Sequence, residues 1–275
     1  MWMPHQNTAL SVQLKKITPY ISRVASHPRV APLVRLADIY LALLHGKGGG
    51  GAWQFNVEAK AAAQFVLSKE PILFDVGANR GGWSSDIVAV LGEKKVPRLF
   101  LFEPSAECNI LMKEMGLPNA TFYEAAVGDE QGEATMFVPE ASSTVSSMYH
   151  RRDSFVQKLQ FHEQKVSVVS IDEVIQKEQL TRVDFMKMDV EGHEISVLRS
   201  AQKSLETGVI KALSFEFGAS NLNSRTFFFD FWDMLSPLGY QILRITPGGK
   251  LLPINEYYED LEYFRACANY IAVLR

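Results

Sequence analysis

The stretch Phe74-Asp75-Val76-Gly77-Ala78-Asn79-Arg80-Gly81-Gly82 breaks an apolar run, Pro71 to Val76, into glycines and then opens onto a helical pattern. A buried parallel strand that ends this way delivers its last residues to a helix N-terminus. Gly77 and Gly81 permit a tight turn and a close approach of backbone to a ligand. The free N–H groups of the next helix attract a polar or charged group there. The stretch therefore predicts a ligand cradle after a first strand.

Glycine spacing selects the ligand class. Dinucleotide turns read Gly-x-Gly-x-x-Gly, with an acid about 20 residues further on. Here the turn reads Asp-x-Gly-x-x-x-Gly, with a carboxylate two residues before the first glycine. That acid repels a pyrophosphate and suits an amino-acid ammonium group, which disfavours a nicotinamide oxidoreductase. Pro97 to Pro104 is a second buried-type strand ending in Glu103, whose carboxylate can accept two ribose hydroxyl hydrogen bonds. An ammonium and a ribose in one ligand describe S-adenosylmethionine. The bland alternative is that both acids merely cap helices.

Across 275 residues, 47% are hydrophobic, enough for one large α/β domain. With 28 basic and 31 acidic side chains the formal charge is −3, which disfavours a nucleic-acid partner. Cys108 and Cys267 lack disulfide or metal-ligand spacing and fit a reducing compartment. The most apolar N-terminal segment, Val30 to Leu44, is interrupted by Arg35 and Asp38, so neither a signal peptide nor a membrane span is expected and a cytoplasmic location is.

Residues 1–70 read as an N-terminal helical cap, with a hinge or lid at the glycine run 46–51 and a helix from about Ala52 to Leu67. Residues 71–275 alternate strand and helix, predicting a doubly wound, mostly parallel sheet. Strands are expected at 71–76, 97–103, 120–127, 183–188, 212–217, 240–245 and 270–274. Residues 133–138 and 165–170 should pair as an inserted hairpin around the Ser-rich loop Ser142 to Ser147. This loop, the cap and the surface segment Asn255 to Leu261 are candidates for an acceptor wall. The aromatic run Phe227 to Trp232 has the helical spacing of core packing.

After the fourth parallel strand stands Lys187-Met188-Asp189-Val190-Glu191-Gly192-His193-Glu194, richer in acids than a helix cap needs. Transfer of a methyl group to a hydroxyl is an in-line displacement in which the hydroxyl loses its proton, so a positioned base helps. His193 is the best-matched base, with Glu191 and Glu216 as groups that bind acceptor hydroxyls or orient it, while Asp189 could cap the following helix. Asp189, Glu191 and Glu216 could alternatively hold a hard divalent cation. A binding module that keeps the cofactor pocket without catalysis is a further alternative.

Phe74-Asp75-Val76-Gly77-Ala78-Asn79-x-Gly81, Phe102-Glu103-Pro104, Ala125-Ala126-Val127-Gly128-Asp129 with Gly132, Ser170-Ile171-Asp172 and the 187–194 run together resemble the FkbM family of methyltransferases from Phe74 onward. The resemblance implies a class I methyltransferase (Rossmann-like) fold with a seven-stranded sheet whose last strand is antiparallel. It implies S-adenosylmethionine as cofactor and a hydroxyl acceptor on a sugar, polyketide or related metabolite. By position, Asp75, Gly77, Ala78, Asn79 and Gly81 would line the methionine end, Glu103 with Pro104 the ribose, and Ala126 with Val127 the adenine. Asp189, Glu191 and His193 would face the acceptor. No resident metal is expected, with the divalent cation above kept as the alternative. The first seventy residues lie outside the resemblance.

Overall fold

The computed structural model describes residues 9–48, 56–140, 145–154 and 156–275. The expected helix from Ala52 appears as α3 (Val57–Ala63), following α1 (Ala9–Ala25) and α2 (Ala31–Leu44). Residues 49–51 of the glycine run and 142–144 of the serine loop lie outside the described residues.

Alternation then builds β1 (Ile72–Val76), α4 (Gly82–Leu91), β2 (Arg98–Phe102), α5 (Ala106–Glu114) and β3 (Ala120–Tyr123). A second run follows: β4 (Ala126–Val127), β5 (Gly132–Pro139), β6 (Phe161–Val169), α6 (Ile171–Lys177), β7 (Phe185–Met188), α7 (Glu194–Ser200) and α8 (Gln202–Glu206). The chain continues through β8 (Ala212–Gly218), α9 (Asn221–Ser224), α10 (Phe228–Leu235), β9 (Tyr240–Ile245), β10 (Leu251–Ile254) and β11 (Cys267–Leu274).

Eight strands form the main sheet in the order β10-β9-β11-β8-β7-β1-β2-β3. Strand β11 runs antiparallel to β8 and β9, while β3, β2, β1, β7 and β8 pair in parallel. This is the class I methyltransferase arrangement with one correction: the sheet has eight strands, not seven. Strand β10 adds an antiparallel edge to β9. Pro253 sits in it without cost because an edge strand need not donate a full ladder of N–H bonds.

A second correction concerns 120–127, which is not one strand. β3 ends at Tyr123, and Ala126–Val127 instead pairs with β6 in a separate three-stranded sheet, β4-β6-β5. The expected hairpin is present as β5 against β6.

Strand order reverses at β1, which lies between β2 and β7. Ligands in such sheets sit beyond the carboxyl ends of the strands at this switch. The strands bury both faces. One carries Phe74, Met186, Phe215, Phe217 and Tyr270 against α10; the other carries Leu73, Phe185 and Ile271 against α3 and α4. Phe215 stacks on Phe231 at 4.3 Å and on Tyr270 at 5.3 Å, so the aromatic run of α10 serves the core through Phe228 and Phe231. Trp83 likewise packs on Phe185 at 5.9 Å. The segment Asn255 to Leu261 is not wholly superficial, since Leu261 is fully buried. By contrast, no residue of α2 is buried. Among the described residues, no helix is long and apolar enough to cross a membrane.

Removing the Phe215 ring should cost about 3–5 kcal/mol, the usual toll of a buried Phe→Ala change. Urea denaturation of Phe215→Ala checks this, and a loss below about 1 kcal/mol would contradict the stacked core.

Candidate active site

The β1 turn is built on glycine for a steric reason. Gly77 has φ +74°, and a Cβ there would lie 1.9 Å from the Asp189 carbonyl oxygen, so the turns after β1 and β7 touch backbone to backbone. The N–H groups of Gly77 and Ala78 both donate to the Phe102 carbonyl, at 3.0 and 3.1 Å. Three strand ends, β1, β2 and β7, are thereby tied together.

Lys187 fastens this junction. Its ammonium lies 3.2 Å from the Asp75 carboxylate and 3.6 Å from Asp189, and donates to the Gly77 carbonyl at 3.0 Å. Burial opposes its charge, but Asp75 and Asp189 more than offset this and hold its pKa above the ordinary value. Asp75 also accepts from Ser84 Oγ at 2.7 Å and is 1% exposed. Asp75 is thus paired with an ammonium of the protein's own and is not among the residues that line the cavity beyond.

A cavity of about 80 Å³ opens beyond these strand ends. It brings together Gly77, Asn79, Glu103, Pro104, Ala126, Val127, Asp189, Glu191 and His193. Two other expected residues do not line it. Ala78 is buried beneath the turn, and Gly81, at φ +77°, faces Met112, Met115 and Leu117 instead, because it starts α4 against the end of α5.

Glu103 is held at the rim. Its two oxygens accept from the N–H groups of Asn79 at 2.8 Å and Ser105 at 2.9 Å. Burial raises its pKa and these two N–H groups pull it back, leaving it above the ordinary value. Each oxygen keeps a lone pair for a further donor. Phe102, Pro104, Ala125, Ala126, Val127, Met136 and Met148 supply an apolar wall beside it.

Across the cavity, Glu191 and Gly192 take positive φ, +53° and +99°, making the tight turn into α7. The Glu194 carboxylate holds that turn, accepting from the N–H groups of Val190 and Gly192 at 3.2 and 3.3 Å. Burial pushes Glu194 up to about 7. His193 occupies the N-cap position but makes no capping bond, so its ring is available to the cavity. Its Nδ1 lies 3.3 Å from the Tyr149 hydroxyl, and burial depresses its pKa to about 4. Burial and Asp189 raise Glu191, while the Arg151 guanidinium paired with it pulls the other way. Arg151 is itself fixed by Asp153, with bonds of 2.8 and 3.1 Å.

A small polar pocket adjoins the first through Asp189, lined by Glu58, Lys187, Ser214, Glu216 and Asn269. Burial pushes Glu58 up to about 7, and burial with Asp189 and Glu191 raises Glu216 well above the usual carboxylate range. Glu191 lines one pocket and Glu216 the other. Among the described residues, no three His, Cys, Asp or Glu converge as a metal-ligand set.

Sequence reasoning did not single out Lys187, Tyr149, Arg151, Glu58 or Asn269. Only Lys187 carried a local signal, an ionisable residue inside a buried strand.

A model of the methyltransferase FkbM domain matches residues 75–242. The chain belongs to the FkbM methyltransferase family. The family's cofactor is S-adenosylmethionine. No curated protein matches the chain.

Among solved structures it is similar to an FkbM methyltransferase from Methylobacillus flagellatus, at 17% identity and TM-score 0.45, covering 75% of this chain and 44% of that one. An S-adenosylmethionine-dependent O-methyltransferase from Thermotoga maritima is 11% identical with TM-score 0.40, covering 79% and 64%. An S-adenosylmethionine-dependent methyltransferase from Aquifex aeolicus is 13% identical with TM-score 0.42, covering 83% and 95%. The chain thus spans less than two thirds of the length of the first two.

The donor set fits the family's cofactor: a rim carboxylate with free lone pairs, an apolar wall beside it, and backbone at Gly77. The volume is small for a nucleoside, since ligand sites usually hold about 300–1,000 Å³. Ser147 also lines the cavity, and its hydroxyl donates to the Glu191 carbonyl at 2.8 Å.

Replacing Lys187 by Met should cost about 3–5 kcal/mol by stranding the buried Asp75 charge, and Asp75→Asn in the same chain should recover much of that. Chemical denaturation of the two variants beside the wild type tests the pair. The His193 ring makes a separate prediction. Its folded pKa of about 4 lies below the ordinary 6.5, so from pH 6.5 down to 4 the unfolded chain takes up a proton that the folded chain refuses. Stability should fall across that window as pH drops, and His193→Gln should flatten the slope.

Proposed function

We propose that the protein is an S-adenosylmethionine-dependent O-methyltransferase that moves a methyl group to a hydroxyl of a sugar, polyketide or related small metabolite. The observation that supports this most is the placement of Glu103 and His193 on one cavity, beyond the ends of β2 and β7, the two strands that flank β1 at the switch point. The cofactor, when bound, supplies an electrophilic methyl group on a sulfonium.

Glu103 is assigned to a ribose, Ala126 and Val127 to an adenine, and Gly77 and Asn79 to the methionine end. Asp75, Ala78 and Gly81 shape that turn from behind. His193 accepts the acceptor's hydroxyl proton. Its depressed pKa keeps the ring neutral at physiological pH, so one nitrogen is unprotonated, although a ring of low pKa is a weak base. In-line geometry and desolvation must then supply most of the rate. Asp189, shared by the two pockets, and Glu191 bind or orient the acceptor hydroxyl. Glu58 and Glu216, with raised pKa values, can donate a carboxyl proton to a second hydroxyl.

The test is methyl transfer from isotopically labelled S-adenosylmethionine to a panel of hydroxylated sugars and macrolides. His193→Ala should lower kcat by about 10²–10⁴-fold while S-adenosylhomocysteine still binds, the usual contribution of a positioned base. An undiminished rate removes the base role. With an accepted substrate, kcat/KM should stay flat from pH 6 to pH 8 as far as His193 governs it, and decline only as pH nears 4, where the ring protonates.

A further inference from the structure

Helices α1 and α2 stand ahead of residues 75–242, the part that the family model matches, and belong to neither sheet. Among the described residues they hold twelve of the twenty exposed large apolar side chains, so this exposure is concentrated rather than scattered. On α1, Leu14, Ile17, Ile21 and Val24 recur at spacings of three and four and form one stripe along the helix. On α2, Leu33, Leu36, Tyr40 and Leu44 form another. Single exposed apolar residues need no explanation, whereas stripes of this kind mark a face that docks on something.

The charges of the same segment are almost all of one sign. Lys15, Lys16, Arg23, Arg29 and Arg35 stand against one acid, Asp38, in a chain whose formal charge is −3. Asp38 is paired with Arg265, so no acid of the segment is left to offset its basic side chains. Lys16 and Arg23 are exposed and, seven residues apart, lie one above the other on the side of α1 away from its apolar stripe. Arg29, in the turn, and Arg35, opposite the stripe of α2, are exposed as well. Apolar stripes backed by basic side chains are the pattern of helices that lie flat in a lipid interface.

Among the described residues no helix can cross a bilayer, which leaves the interfacial arrangement. A second copy of the chain fits this face less well. A twofold contact sets a surface against itself, and here it would bring Lys16, Arg23, Arg29 and Arg35 against like charge. Anionic headgroups complement that charge, and the acyl boundary takes up the stripes. The pairs of Asp38 with Arg265 and of Lys47 with Asp260 tie α2 and its end to the 258–265 segment, so a docked α2 carries the sheet with it.

We propose that α1 and α2 dock the protein peripherally on an anionic lipid surface, with the apolar stripes at the acyl boundary and the basic side chains on headgroups. The proposal stands apart from the O-methyltransferase reading and goes beyond it.

Co-sedimentation of the full chain with vesicles of phosphatidylcholine alone, and of phosphatidylcholine mixed with phosphatidylglycerol, tests this. The anionic vesicles should bring the protein down, the neutral ones far less, and binding should weaken as salt rises. Ile17→Asp with Leu36→Asp should weaken binding about tenfold or more, and Lys16→Glu with Arg23→Glu should do the same. Leu67→Asp, at an exposed apolar residue outside the two helices, should leave binding unchanged. All five side chains are exposed, so thermal midpoints should match the wild type, which separates lost docking from misfolding.

Failure of the wild-type chain to bind anionic vesicles would overturn the proposal, as would equal binding by the wild type and both paired variants. A dimer in lipid-free solution that Ile17→Asp with Leu36→Asp dissolves would give this face to a second copy and overturn it too.

Discussion

One ammonium group, Lys187 Nζ, stands where β1 and β7 end, bonded to the Gly77 carbonyl and paired with Asp75. Both side chains are more than nine-tenths buried, and a charge in that position persists only with an opposite charge beside it. The pair fixes the relation of the two strands across the switch point. Gly77 then closes against the Asp189 backbone, a contact that any side chain would obstruct. The candidate site hangs from this junction: Glu103 is oriented by the Asn79 N–H of the β1 turn, and Asp189, Glu191 and His193 follow directly from β7.

The same junction sets the electrostatics. Acids at 58, 189, 191, 194 and 216 crowd one end of the sheet around a single buried lysine. Burial and mutual repulsion raise the pKa values of Glu58, Glu191, Glu194 and Glu216, whereas burial depresses that of His193.

Much of this was legible because the informative residues are contiguous. The β1 turn, the end of β2 and the run after β7 each carry their chemistry within nine residues, and a buried apolar strand marks each one. What was not legible depended on partners distant in sequence. The pairing of Asp75 with Lys187, 112 positions later, had no local signal. The packing of Gly81 against α5 had none either. Strand β10 was hidden by its length and by Pro253, which marks a turn in most contexts and is tolerated here at an edge. Ala126–Val127 continued β3 in pattern, but its ladder partner is β6. Tyr149 and Arg151 reach His193 and Glu191 from a loop with no periodicity to announce it.

The most direct measurement is calorimetric titration of S-adenosylhomocysteine into the wild-type chain, Glu103→Ala and Gly77→Ala, with NAD as control. The account predicts one site per chain in the wild type, strongly weakened in Glu103→Ala, lost in Gly77→Ala, and no NAD binding. Wild-type affinity retained in Glu103→Ala, or binding of NAD in place of S-adenosylhomocysteine, would contradict it.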